Sequence, residues 1–392
     1  MAEGYFVSHL ECSVTGERHG AGEPHGLSRA GAPLLVRYDL RALGAALDRD
    51  AVAARPADMW RFRELLPLPP GRRPVSLGES ETPLVPLAAG ASGAGVLVKD
   101  EGRLPTGSFK ARGLAVAVTM AVHFGAARVA LPSAGEAGAA AAAYAARGGL
   151  EAFVFTAAGA SDAVLAEIEA FGARVTRVDG PIEACAARVR GGALERGWRD
   201  LSALAEPYRL EGEKTMGLEL ALQLGWDLPD AVYYPTGTGT GFVGLWKAFD
   251  ELAALGWIGA ARPRMVAVQA RGCAPVVRAW ESGAESVAEP WAPVTTRVAG
   301  LRVARPPGDR LILSVIRDSG GHAVAVDDAE VWDARAEAAR SGGLLLCPEG
   351  AACLAALRRD LAAGLISADA RVVLFNTAAG FRAPPRPSDG GG

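Results

Sequence analysis

The sequence predicts an α/β fold built from mostly parallel, twisted sheets with helices on both faces. Strand-like and helix-like segments alternate, short turns join them, and the strand patterns are apolar, as expected for buried parallel strands. The alternation is clearest in one block, with strands at 128–132, 151–155 and 173–178 and helices at 137–147, 164–171 and 182–191. This block, 113–198, is expected to form a small domain.

The length predicts two lobes. At 392 residues, half of them hydrophobic, the chain can bury a large core. We expect two three-layer lobes: the small domain, and a large domain assembled from 33–112 and 199–382. The active site is expected in the cleft between the lobes, because open parallel sheets bind ligands at the carboxyl ends of their strands. Residues 1–32 read as a mobile extension and residues 383–392 as a disordered tail.

Composition excludes several function classes. A net charge of −3 offers no basic footprint for nucleic acid. No stretch has the length and apolarity of a membrane span or signal peptide, so a cytoplasmic protein is expected. The five scattered cysteines favour reduced thiols over disulfides. His9, Cys12, His19 and His25 could ligate zinc, but their spacing fits no common site, and no metal is expected.

The first chemical signal lies at Lys110. The chain leaves an apolar strand at 95–98, crosses a turn with Pro105 and Gly107, and places this lysine on the first turn of a helix. A lysine at the edge of a buried segment, near a helix N-terminus, can be neutral enough to form a Schiff base. Lys110 is therefore a candidate anchor for pyridoxal phosphate. A surface lysine after a turn is the alternative.

The second signal is a glycine-rich loop, Gly237-Thr238-Gly239-Thr240-Gly241, between a strand at 231–234 and a helix at 243–252. Successive backbone N–H groups at a helix N-terminus bind phosphate, with a dipole contribution of roughly 0.3 to 2 kcal/mol. Residues 239–244 also match Gly-x-Gly-x-x-Gly, which leaves a nicotinamide oxidoreductase as an alternative. The next strand, however, ends in Gln269-Ala270-Arg271 without the acidic residue that NAD binding requires.

Residues 105–113, Pro-Thr-Gly-Ser-Phe-Lys-Ala-Arg-Gly, resemble the cofactor-lysine motif of threonine synthases. These enzymes belong to the tryptophan synthase beta-like, fold type II, pyridoxal phosphate enzymes, and the resemblance runs from about Leu34 to Gly380. It implies this fold, pyridoxal 5'-phosphate as cofactor, a homodimer and a small amino acid substrate that can be phosphorylated. The implied activity is that of a lyase that eliminates phosphate from an O-phosphohomoserine-like amino acid and adds water or another nucleophile.

The resemblance also implies site residues. Lys110 would hold the cofactor, be released by the substrate and then act as general base for the α-proton. Thr377 would meet the pyridine nitrogen, and Arg209 the phosphate of the substrate; a surface arginine paired to Glu211 or Glu213 is the alternative for Arg209. The implied cofactor-binding residues are Lys110, Phe109, Glu136, Gly237, Thr238, Gly239, Thr240, Gly241 and Thr377. The implied substrate-binding residues are Thr106, Ser133, Ala134, Gly135, Glu136, Ala137 and Arg209.

Five positions depart from the family pattern. Glu136 and Leu104 stand where the family has asparagine, Thr238 replaces a glycine of the loop, and Ala378 and Ala379 replace the usual loop residues. An ionised Glu136 cannot donate to the cofactor phenolate, and it would be repelled by about 4 kcal/mol per close anion at an effective dielectric near 20. It could be protonated, cap the following helix, or face a different substrate. A β-elimination or β-replacement enzyme acting on serine, threonine or an activated relative, and a non-catalytic ligand-binding relative, are therefore the alternatives.

Overall fold

The computed structural model describes residues 4–87, 95–157, 160–180 and 182–383, so the predicted disordered tail lies outside the described residues except for its first residue. The strands are β1 Val7–Cys12, β2 Arg18–His19, β3 Leu34–Tyr38, β4 Leu84–Pro86, β5 Val96–Asp100, β6 Arg128–Pro132, β7 Glu151–Ala157, β8 Arg174–Val178, β9 Arg199–Asp200, β10 Ala231–Pro235, β11 Arg264–Ala270, β12 His322–Val326 and β13 Val372–Asn376.

The helices are α1 Leu40–Ala46, α2 Arg49–Ala53, α3 Lys110–His123, α4 Glu136–Gly148, α5 Asp162–Ala170, α6 Ile182–Arg196, α7 Tyr208–Gln223, α8 Thr240–Ala254, α9 Pro275–Glu281, α10 Asp309–Asp318, α11 Asp328–Gly342 and α12 Pro348–Ala362. Short 3₁₀ turns cover Met59–Leu65, Glu101–Arg103, Pro105–Gly107, Ala299–Leu301 and Gly380–Arg382. None of the helices within the described ranges is both long and apolar enough to cross a membrane.

The chain divides into two compact units. The first contains residues 1–81, 110–226 and 243–259, and the second contains residues 82–109, 227–242 and 260–392. These bounds differ from those of the predicted large and small domains, which stay a prediction. One unit boundary falls at the peptide bond between Phe109 and Lys110.

The second unit contains a six-stranded sheet in the order β12-β11-β10-β13-β5-β4. All neighbours in it are parallel except β4 and β5. Within the central strands Tyr233 pairs with both Val266 and Leu374, and these strands are buried throughout. The carboxyl ends of β10 and β13 therefore meet at one edge of the sheet, where the glycine-rich loop and Thr377 follow.

The first unit contains a four-stranded parallel sheet in the order β8-β7-β6-β9. Helix α4 packs on this sheet and on α3 through residues 138–145, which are all buried and, apart from Tyr144, are glycine or alanine. Alanine allows close approach because its side chain is a single methyl group, and it also has the highest helix propensity. The predicted α/β class with mostly parallel sheets is confirmed.

The segment predicted to be a mobile extension instead forms strands. Strand β1 pairs antiparallel with both β2 and β3, and Val7, Leu10 and Cys12 are buried. Polar residues separate the apolar residues of β1, so the sequence of this segment alone does not indicate a strand. The strand forms because β3 provides a pairing partner. In the described ranges no group of three or more histidine, cysteine or acidic residues could hold a metal ion.

Candidate active site

Lys110 is the first residue of α3, and its side chain is 15% exposed. Burial lowers the pKa of Lys110, Arg209 lowers it further, and the carboxylates of Glu213 and Glu136 raise it. A lowered pKa increases the fraction of neutral amine, which is the form that attacks a carbonyl carbon. The environment of Lys110 therefore suits covalent attachment of an aldehyde.

The other three lysines are more deeply buried than Lys110. The sequence contains four lysines, and Lys99, Lys214 and Lys247 are buried with bonded ammonium groups. Lys99 Nζ lies 2.8 Å from the carbonyl oxygen of Thr82, and Lys214 Nζ lies 2.6 Å from a Glu211 carboxylate oxygen. Lys247 Nζ lies 2.9 Å from the other oxygen of Glu211. Lys110 is thus the most exposed of the four side chains.

Close packing between α3 and α7 determines what Lys110 faces. A Cβ at Gly212 would stand 2.1 Å from the carbonyl oxygen of Arg112, and one at Gly113 would stand 2.9 Å from that of Arg209. Only glycine permits this approach at both positions. As a result, the first two turns of α7 present Arg209 and Glu213 to the start of α3.

Arg209 is buried, with 3% exposure, so the alternative of a surface arginine is wrong. Its Nη1 donates to the carbonyl oxygen of Leu201 at 2.8 Å, and its Nη2 lies 4.0 Å from Oε1 of Glu213. Its Nε has no hydrogen-bond partner among the described residues. Glu211, the other predicted partner, pairs with Lys214 and Lys247 instead.

The backbone at the start of α7 is fixed by Glu206, which sequence reasoning did not identify. Its carboxylate accepts the backbone N–H groups of Tyr208 and Arg209, both at 2.8 Å. Burial raises the pKa of Glu206 to about 7. This residue acts as a helix cap and orients the turn that carries Arg209.

The loop at 133–137 joins β6 to α4. The Ser133 hydroxyl accepts the backbone N–H of Gly135 at 3.2 Å and that of Gly138 at 2.9 Å, so this serine caps α4. Ala134 and Gly135 complete the turn, and Glu136 and Ala137 are the first helical residues. The Glu136 carboxylate lies close enough to Lys110 to raise the pKa of the lysine. The first unit therefore brings Lys110, Glu136 and Arg209 within electrostatic range of one another.

In the second unit, the glycine-rich loop follows β10 and leads into α8. A Cβ at Gly237 would stand 2.3 Å from the carbonyl oxygen of Gly300, and one at Gly239, whose φ is +85°, would stand 2.3 Å from Ile312. Thr238 lies between them, and Thr240 and Gly241 begin α8. The Thr240 hydroxyl is buried and has no hydrogen-bond partner in the described ranges. A loop with alternating glycines, a helix N-terminus and an unsatisfied hydroxyl are suited to a phosphate group.

Thr377 follows β13 and is buried. Its carbonyl oxygen accepts the backbone N–H of Phe109 at 3.0 Å, and its hydroxyl lies 3.8 Å from the Cys347 thiol. The Phe109 ring packs edge-on against Tyr234 with centroids 6.1 Å apart. Thr377 and Phe109 are thus brought together in this unit, and the Thr377 hydroxyl can serve as partner for a ring nitrogen.

The turn before Phe109 contains a strained residue. Thr106 has a φ of 60° and a ψ of 13°, a region that non-glycine residues rarely occupy. The hydroxyls of Thr106 and Ser108 are buried without hydrogen-bond partners in the described residues. Leu104 is buried, and the departing residues Ala378 and Ala379 form isolated bridges to Ser108 and Leu346. The structure reveals Ser108 as an additional polar group that the sequence analysis did not assign.

Within the first unit, Lys110 is suited to react with an aldehyde. Within the second unit, the glycine-rich loop and the Thr377 hydroxyl are suited to contact a phosphate group and a ring nitrogen. The α/β architecture with parallel-rich sheets is that of the tryptophan synthase beta-like pyridoxal phosphate enzymes. The family model described as pyridoxal-phosphate dependent enzyme matches residues 75–378, and the chain belongs to this family. The predicted cofactor and fold type are therefore confirmed.

Two threonine synthases are similar to this chain over nearly its whole length. The chain is 34% identical over 374 residues to "Threonine synthase" of Methanosarcina acetivorans, covering 94% of this chain and 91% of the relative. It is 33% identical over 377 residues to "Threonine synthase" of Methanocaldococcus jannaschii, covering 95% and 92%. The predicted description as a threonine synthase-like, pyridoxal phosphate-dependent lyase is confirmed.

Solved structures support the fold. The diaminopropionate ammonia lyase of Escherichia coli, solved with an aminoacrylate–PLP azomethine intermediate, matches with a TM-score of 0.66. The match covers 78% of this chain and 86% of that chain at 19% identity. At this identity the likeness concerns the fold alone.

Proposed function

We propose that this protein is a threonine synthase, which converts O-phosphohomoserine and water to threonine and inorganic phosphate. The observation that carries the proposal is the identity to threonine synthases of about one residue in three over nearly the whole chain. The buried arginine beside Lys110 supports it, because the substrate of this reaction carries a phosphate group.

Each candidate residue has a role in the proposal. Lys110 holds the cofactor covalently, residues 237–241 bind its phosphate, Thr377 donates or accepts at its ring nitrogen, and Phe109 packs beside it. The bound cofactor supplies the electron sink that makes the α-proton of the amino acid acidic. Lys110, once released, takes this proton on Nζ and returns it later in the reaction.

A separate set of residues holds the substrate in this proposal. The backbone and hydroxyl groups of residues 133–137 bind the substrate carboxylate, Thr106 contributes its hydroxyl, and Arg209 binds the substrate phosphate. Arg209 suits this role because its Nε is buried and without a hydrogen-bond partner among the described residues. A guanidinium pairs two N–H groups with two phosphate oxygens.

A second candidate is favoured by Glu136. A carboxylate near Lys110 is unfavourable for a substrate that carries both a carboxylate and a phosphate, and a less anionic amino acid such as serine or threonine would be repelled less. In that case the enzyme would perform β-elimination or β-replacement.

We also propose that the protein is cytoplasmic. We propose in addition that it forms a homodimer, and sedimentation of the purified chain would test this oligomeric state.

Product analysis separates these candidates. The cofactor-loaded protein is incubated with O-phosphohomoserine, serine or threonine, and phosphate, ammonia and threonine are measured. Threonine synthase activity releases one phosphate for each threonine and no ammonia. Ammonia from serine or threonine without phosphate release would favour the second candidate. No product from any of the three, with the cofactor bound, would favour a non-catalytic ligand-binding relative.

A further inference from the structure

Glu213 is a buried carboxylate whose environment the reaction described above does not explain. It lies one turn after Arg209 on α7, and its side chain is fully buried. Neither of its carboxylate oxygens accepts a hydrogen bond from the described residues. A buried carboxylate normally satisfies both oxygens, because leaving a buried acceptor unpaired costs about 1–3 kcal/mol, and more if it is charged.

Two cations face this carboxylate. Lys110 Nζ lies 3.9 Å from Oε1 of Glu213, and Arg209 Nη2 lies 4.0 Å from the same oxygen. Both distances are within ion-pair range and too long for a hydrogen bond. The electrostatic contact to Lys110 is nevertheless strong enough that Glu213 raises the pKa of the lysine against the effect of burial.

The carboxylate is also held in place. A Cβ on Gly113 would stand 2.9 Å from Oε1 and 3.0 Å from Cγ of Glu213, so α3 packs directly on this side chain. Gly113 lies one turn after Lys110 on the same helix. Because the same two helices carry the amine and the carboxylate, their separation is fixed by helix packing rather than by a flexible loop.

We propose that Glu213 is a positioning residue whose carboxylate favours the ammonium form of Lys110. The inference rests on the proposed role of Lys110 as cofactor anchor and base. The Glu213 carboxylate attracts the Lys110 ammonium across 3.9 Å and so favours retention of the proton on Nζ. When Nζ becomes an ammonium after gaining the α-proton, Glu213 balances its charge.

Of the two cations that face Glu213, Lys110 is the one whose charge can change during the reaction. A guanidinium stays protonated in proteins, so Arg209 can orient the carboxylate but keeps its own charge. The third charged group near Lys110 is Glu136, which is half-buried and begins α4. Glu213 is the fully buried one of the two carboxylates, and is therefore the one whose charge the solvent screens least.

The test measures the reactivity of Lys110 without any substrate. The full-length protein, freed of cofactor, is labelled with trace acetic anhydride between pH 7 and 11, and the four lysine-containing peptides are quantified. In Glu213→Gln the pKa of Lys110 is lower, so at pH 8 this lysine is labelled several-fold faster than in the wild type. An unchanged labelling profile of Lys110 would overturn the proposal.

Glu219→Gln is the matched control. Glu219 lies on the same helix and pairs with the buried Arg112 at 3.0 Å, so this variant also removes a buried carboxylate. It lies six residues from Glu213, roughly 9 Å along the helix, and should leave Lys110 labelling unchanged. An equal effect from both variants would show a general loosening of α7 and would also overturn the proposal.

A second variant, Glu213→Asp, tests the proposal even if Glu213→Gln does not fold. Glu213→Asp keeps the charge but shortens the side chain by one methylene group, and its Lys110 labelling rate should fall between those of the wild type and the fully neutralised site. A rate at or below that of the wild type would contradict the role of Glu213. If labelling changes as expected but no threonine forms from O-phosphohomoserine, the proposed function fails and this inference stands.

Discussion

The carbonyl oxygen of Arg112 occupies the space that a side chain on Gly212 would need where α3 packs on α7. A Cβ at position 212 would stand 2.1 Å from this oxygen. The close packing brings Lys110, at the start of α3, close to the charged residues of α7. The surroundings of Lys110 thus depend on a glycine more than a hundred residues away in sequence.

Gly212→Ala should therefore destabilise the fold. The methyl group forces the helices apart, and overpacking of this kind costs typically about 1–3 kcal/mol. Urea unfolding measures the loss. Gly191→Ala is the control, because Gly191 is also inside a helix but a Cβ there meets nothing within 4 Å. The control should gain roughly 0.5–1 kcal/mol from helix propensity, and equal losses in both variants would refute the packing argument.

Gly237→Ala should weaken cofactor binding. Its Cβ would stand 2.3 Å from the carbonyl oxygen of Gly300, so the loop must move and its backbone N–H groups lose their alignment. We expect the dissociation constant for pyridoxal phosphate to rise at least about tenfold, which corresponds to roughly 1.4 kcal/mol. Absorbance titration measures this constant. Gly259→Ala, where a Cβ has open space, should bind as the wild type does.

Glu206 makes stability depend on pH. Its folded-state pKa is raised by burial from 4.5 to about 7, so the folded protein binds more protons than the unfolded chain between these values. Stability should therefore fall as pH rises through this window, by up to about 3 kcal/mol from this group, and then level off. Glu206→Gln removes the titration. Urea unfolding at pH 4.5 and 7.5 should show a smaller decrease in the variant; an equal decrease would count against the buried carboxyl.

Glu136→Asn, which restores the asparagine of the family pattern, should improve turnover of O-phosphohomoserine. The substitution removes a negative charge beside Lys110 and introduces an amide that can donate a hydrogen bond. We expect kcat/KM for O-phosphohomoserine to rise several-fold, measured by phosphate release. Glu136→Gln, which removes the charge with a longer amide, separates charge from fit. No gain with either variant would show that Glu136 does not limit this substrate.

The pattern of apolar residues along the chain predicted much of the fold. Strands β6, β7 and β13 and helix α4 were predicted from apolar runs, because the length and composition of each run fit a buried strand or helix. Lys110 and the glycine-rich loop were selected as candidates because each places a special residue at a strand-to-helix turn.

Long-range contacts could not be predicted in the same way. The strand at β1 depends on pairing with β3, some two dozen residues later. The approach of Glu213 and Arg209 to Lys110 depends on the crossing of α3 and α7. That crossing is decided by two glycines, Gly113 and Gly212, whose importance appears only when the helices are packed.

Borohydride reduction of the cofactor-loaded protein, followed by peptide mapping, identifies the lysine that holds the cofactor. With four lysines in the chain, every possible side-chain attachment site can be assigned. We expect the reduced cofactor on the peptide containing Lys110, and we expect it to be lost in Lys110→Arg. Label on Lys99, Lys214 or Lys247, or no absorbance from bound cofactor in the wild type, would contradict this expectation.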